Sequence, residues 1–211
     1  MVKTKQKILD AALRLFNEFG YPNIKLRRIA LEIGISQGNL NYYFRKREDI
    51  VEALYFQLLV KFNEEKARVD ESGPEKLTMQ QLFDSNLSGM QTLYEYRFLM
   101  INLNQVMHEN RNIYAHFAAL EKVRKDTYLK LFDIAVAANM FRAPEFPGEF
   151  ENLADRIRII GDYWIASIDL YGMYQEAGIV EKHHFLMIEM LYPYLTDAGK
   201  KAFLKVSAPF G

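Results

Sequence analysis

The chain has 211 residues, 50% of them hydrophobic and 26% charged, and its 27 basic and 27 acidic side chains cancel. That is enough chain to bury a substantial core in one or two domains. The absence of cysteine excludes disulfides, Cys-ligated zinc, iron–sulfur clusters and thiol catalysis.

No run of about 18 apolar residues predicts a membrane span. Asp10 interrupts the first apolar stretch, so no secretory leader is expected and a cytoplasmic protein is. The neutral total hides an asymmetry. Residues 1–47 carry ten basic side chains against three acidic ones, a net of +7, which leaves −7 for the remainder. A basic end on an acidic body suits a chain that meets a polyanion with that end alone.

In chain order, Ile8, Ala12, Leu15, Phe16 and Phe19 recur at steps of three and four and predict a helix from Lys3 to Phe19, stopped by Gly20 and Pro22. A short helix fits Leu26 to Ile33, with Leu26, Ile29, Ala30 and Ile33 inward, and Gly34 ends it. Ser36 is a good N-cap for a third helix to about Phe44. Glu48 and Asp49 favour the start of a long fourth helix, 47–69, burying Ile50, Leu54, Phe56 or Leu58, and Phe62. Ser72-Gly73-Pro74 reads as a loop. Further helices are predicted over Thr78–Leu93, Tyr94–Met107, Asn110–Met140, Phe150–Gln175 and His183–Leu191, with a terminal piece capped by Thr196 or Asp197. The pattern is all-α, with nine to ten helices and no period-2 strand. It divides into a head, 1–47, and a helical body, 48–211, joined by the fourth helix.

Residues 24–47 read as two short helices joined by a tight turn at Gly34-Ile35-Ser36, held together by Ile29, Ala30, Ile35 and Leu40. The second of them carries Gln37, Asn39, Asn41, Tyr42 and Tyr43, side chains that exchange hydrogen bonds with base edges and phosphates. A helix of this kind fits the major groove of duplex DNA, about 12 Å wide. The head resembles the TetR family of regulators. The resemblance rests on Ile8, Ala11, Ala12, Phe16 and Gly20-Tyr21, then Arg27, Ile29-Ala30 and Gly34-Ile35-Ser36, then Gly38, Leu40, Tyr42, Phe44 and Glu48-Asp49-Ile50. It departs from the family pattern at Asn41 (often Tyr), Tyr43 (often His), Arg47 (usually Lys) and Ile24-Lys25 (usually a Thr).

Base-edge candidates are Gln37, Asn39 and Asn41, because amides bind adenine at two points. Phosphate candidates are Lys25, Arg27, Arg28, Tyr42, Tyr43, Lys46 and Arg47. The resemblance implies a homodimer on a palindromic double-stranded operator, assembled through the last two long helices. Ile157, Ile160, Trp164, Ile168, Tyr171, Phe185, Ile188 and Tyr192 are then expected at the partner surface. It also implies a small effector among the middle helices that releases a repressor from DNA. Phe83, Met90, Tyr94, Phe98, Met107, Tyr114 and Phe117 offer an apolar or aromatic lining. Neither a His-Glu-x-x-His pattern nor a phosphate loop or Gly-x-Ser-x-Gly elbow occurs, so no enzyme and no cofactor is expected. The alternative is a protein of this fold that acts through a protein partner.

Overall fold

The computed structural model of the chain describes residues 2–70 and 77–208; the loop expected at 72–74 lies outside them. The described residues form eleven α-helices, one or two more than expected, and no strand beyond an isolated bridge between Phe141 and Leu195. The head comprises α1 (Val2–Phe19), α2 (Leu26–Glu32) and α3 (Gln37–Tyr43), and α4 (Arg47–Asp70) leads into the body. The body comprises α5 (Met79–Glu95), α6 (Arg97–Ile101), α7 (Leu103–Glu109), α8 (Arg111–Ala137), α9 (Glu149–Leu170), α10 (Ile179–Glu189) and α11 (Asp197–Ser207).

Side-chain caps set several starts. The Ser36 hydroxyl accepts from Asn39 N–H at 3.1 Å, Thr78 and Gln81 form a reciprocal capping box, and Asn110 Oδ1 accepts from the N–H groups of Asn112 and Ile113. Thr196, rather than Asp197, caps α11. Each such cap stabilises its helix by about 1 kcal/mol. The expected helix Tyr94–Met107 is instead broken into α6 and α7 at Asn102, whose amide donates to Phe98 O at 2.8 Å. The helix expected to run through Gln175 ends at Leu170, and Gly178 is the N-cap of α10.

One apolar core runs from head to body. Ile8, Leu15, Phe16, Ile29 and Leu40 pack in the same cluster as Ile50 and Leu54 of α4 and as Phe98, Val106 and Ile113 of α6 to α8. The 47/48 position therefore falls within the first turn of α4 and marks no gap in the packing. One residue of the expected apolar face is corrected: Phe19 is exposed beneath the Arg28 guanidinium, 5.9 Å from its ring. Of the alternatives Phe56 and Leu58, Leu58 is the one buried.

Helix α9 is apolar on two faces. Leu153, Ile157, Trp164, Ile165 and Ile168 point into the body, whereas Ile159, Ile160, Tyr163 and Leu170 face solvent. This corrects most of the expected partner surface. Ile157, Trp164, Ile168 and Ile188 keep only 7%, 4%, 0% and 3% exposure within the single chain. Phe185 and Tyr192 are half-buried, with ring centroids 6.4 and 5.2 Å from Phe203. Ile160 and Tyr171 remain exposed.

Candidate nucleic-acid interface

Helix α3 is held by one buried side chain, Leu40, and the cap at Ser36. Gly34, at φ +69°, makes the tight turn that brings α3 across α2, a backbone conformation costly to other residues. With Leu40 inward, Gln37, Asn39, Asn41 and Tyr42 are all exposed on the rest of the helix. Tyr43 is half-buried, edge-on to Tyr42 with centroids 5.3 Å apart. Lys25, Arg27, Arg28, Arg45 and Lys46 are exposed at its flanks. The head thus offers amide groups in the middle and cations at the margins, the arrangement that reads base edges while gripping two phosphate strands.

Arg47 sits differently. Its guanidinium lies 4.0 Å from the centre of the Tyr21 ring and donates to Tyr21 O at 3.1 Å. It also approaches Glu109 Oε2 at 3.4 Å. The Tyr21 hydroxyl donates to the same carboxylate, and Gln105 donates to its other oxygen at 2.7 Å. Burial pushes the Glu109 carboxyl up, but the hydrogen bonds from Tyr21 and Gln105 and the Arg47 charge outweigh it and hold the carboxyl below its ordinary range. Burial, and then the bond to Glu109, push the Tyr21 phenol up. Arg47, expected at a phosphate, is here part of the joint between head and body.

Two more contacts build that joint. Asn17 of α1 donates to Glu95 O at 2.7 Å and accepts from Phe98 N–H at 3.1 Å. Asn110 and Asn112 donate to Glu52 of α4 at 3.1 and 3.0 Å. Sequence reasoning missed Asn17, Glu109 and Glu52 because nothing in helical spacing shows which residues meet across 50 or more intervening positions. Asn110 was legible as a helix start, and its second role was not.

Residues 63–203 match the family described as "Bacterial transcriptional repressor" under the heading TetR, and residues 8–54 match "Bacterial regulatory proteins, tetR family". The chain belongs to the TetR family. Both matching descriptions are of bacterial transcriptional regulators. Among curated relatives, the "Fatty acid metabolism regulator protein" of Bacillus subtilis (strain 168) is 33% identical over 72 residues, 34% of this chain and 36% of that protein. "HTH-type transcriptional regulator RutR" of Escherichia coli (strain K12) is 42% identical over 55 residues, 26% of each. The matches therefore span about a third or less of those relatives' length. The crystal structure of a TetR-family regulator from Marinobacter aquaeolei VT8 shares the fold, with a TM-score of 0.86 at 20% identity over 98% of both chains.

Within this TetR body the seven residues expected to line an effector site do not all meet. Met90, Tyr94, Met107 and Phe117 join one cluster, together with Trp164. Phe83 belongs to a second cluster, edge-on to Phe203 at 5.4 Å. Phe98 lies against Phe16 at 4.9 Å, in the joint, and Tyr114 is exposed. Beside the Trp164 cluster, Arg124 holds Asp162 through two hydrogen bonds of 2.8 and 3.0 Å and lies 5.3 Å over Phe117. The Tyr55 hydroxyl pairs with His116 Nδ1 at 2.9 Å, and burial raises its phenol to about 12. No group of three metal-ligating side chains occurs among the described residues, and no helix among them is long and apolar enough to cross a membrane.

Proposed function

We propose that the chain is a homodimeric, cytoplasmic repressor that reads a palindromic operator with α3 and leaves it when an apolar or aromatic small molecule binds the body. The observation that carries this reading is the exposure of Gln37, Asn39, Asn41 and Tyr42 on one short helix flanked by exposed Lys25, Arg27, Arg28 and Lys46. The amides would contact bases, and the tyrosine and cations would contact phosphates.

A dimer is supported by the outward face of α9, where Ile159, Ile160, Tyr163, Leu170 and the adjacent Tyr171 are exposed together with Leu186 of α10. Pairing these faces removes apolar surface from water and sets two heads side by side. Release is supported by the position of α6 and α7. They touch the Trp164 cluster through Met100, Leu103 and Met107, and α7 carries Glu109, which holds Tyr21 and Arg47. A ligand that binds more tightly with α7 displaced moves the heads away from the DNA-competent spacing.

Site selection with the purified protein on randomised duplexes tests the proposal. The expected product is an inverted repeat with half-sites about 34–36 Å apart centre to centre, or a multiple of that. Recovery of no sequence preference, with binding abolished by modest salt, would favour action through a protein partner.

A further inference from the structure

Six of the chain's nine methionines, Met90, Met100, Met107, Met173, Met187 and Met190, converge on the cluster that contains Trp164. They come from α5, α6, α7, α10, the C-cap of α10 and the turn after α9. Met side chains are unbranched and rotate about three bonds, so a wall of them yields to guests of different shape. The rings inside the wall are ordered. Tyr94 stacks on Trp164 with centroids 6.1 Å apart and planes 22° apart, and His183 lies 5.4 Å away.

Trp164 is 4% exposed, and its indole Nε1–H has no hydrogen-bond partner among the described residues. A buried donor without an acceptor bears the whole cost of losing water. Thioether sulfurs are only weak acceptors, so the surrounding methionines compensate little.

We infer that this cluster is the effector site and that its ligand is an apolar molecule bearing a carbonyl oxygen, which accepts from Trp164 Nε1–H while the methionines and Tyr94 enclose the apolar part. The inference rests on the proposal that an effector binds the body, and it specifies the chemistry of that effector. A hydrocarbon would leave the indole bare. A ligand with an acceptor recovers the lost hydrogen bond, so discrimination between the two should reach about tenfold.

The chain's single tryptophan gives a direct readout, because the labelled protein has one indole N–H cross-peak. The probes are 2-acetonaphthone and 2-ethylnaphthalene, which share an apolar frame and differ in the carbonyl. The ketone should move the indole proton downfield and bind about tenfold tighter by calorimetry. In Trp164→Phe, which keeps an aromatic ring, the two should bind alike. The wild-type titration alone decides the matter if the variant fails to fold. An indole peak unmoved at saturation, no binding by either probe up to its solubility, or a preference that survives Trp164→Phe would overturn the inference. Release of the selected operator is measured in parallel. A moved peak with DNA still bound supports the site and sinks the effector reading. Release with an unmoved peak supports an effector and sinks this site.

Discussion

Arg47→Ala separates two readings of one cation. In the structure Arg47 stacks on Tyr21 at 4.0 Å, a contact worth about 0.5–2 kcal/mol. Its charged hydrogen bond to Tyr21 O at 3.1 Å adds about 1.5–3 kcal/mol at most. That carbonyl keeps a second donor in Ile24 N–H, and the ion pair with Glu109 is partly exposed, with the arginine side chain 20% accessible, so it counts for about 0–1 kcal/mol. Discounting for these, we expect Arg47→Ala to cost about 2 kcal/mol and to lower Tm by roughly 4–8 °C for a chain of this size. Because Arg47 faces Tyr21 and not the open side of α3, the slope of log affinity against log salt should stay as in wild type. Lys46→Ala, by contrast, should flatten it by about 0.9, the value of one lost phosphate contact. Thermal unfolding by circular dichroism and salt titrations on the selected operator measure both quantities. A variant that melts like wild type but loses about 0.9 in slope would refute the reasoning and return Arg47 to the phosphate.

Four further outcomes are expected. Asn41→Ala should lose about 1–3 kcal/mol on the selected operator and little on sites altered at the base it reads, as measured by binding to a panel of single-base variants. Tyr163→Glu, placed on the exposed face of α9, should shift the assembly towards single chains in sedimentation without lowering helix content. Gly199→Ala should destabilise by at least about 1–3 kcal/mol in denaturant titration, since its Cβ would lie 2.1 Å from the Met140 carbonyl oxygen that Thr196 N–H also binds. Glu149 is held at about 2, against an ordinary 4.5, first by its hydrogen bond from Arg142. A depressed carboxylate stabilises the fold above its ordinary value and loses that contribution as pH falls, so Glu149→Gln should flatten the acid limb of stability between pH 4.5 and 2.

The head was largely legible because its signals are local. Ser36, Gly34 and Leu40 fix a cap, a turn and a buried point within seven residues, and whatever α3 does not bury must face outward. The body was legible as helices and misread as surfaces. The spacing puts Phe150, Leu153, Ile157, Ile160, Trp164, Ile168 and Tyr171 in one stripe, but the structure buries only Phe150, Leu153, Ile157, Trp164 and Ile168 of these, and Ile160 joins Ile159, Tyr163 and Leu170 on a second, exposed apolar face. Periodicity gives the faces of a helix and not their neighbours.

The sequence by itself therefore determined the all-helical class, the family and the short exposed helix after Ser36, each carried by residues close together in the chain. Only the tertiary structure decided that Trp164 faces inward among methionines, that Arg47 binds Tyr21, and that Glu109 joins α7 to the head. Those facts depend on which helices pack against one another. That choice is set by the summed burial of the whole core and leaves no mark in the spacing of any single segment.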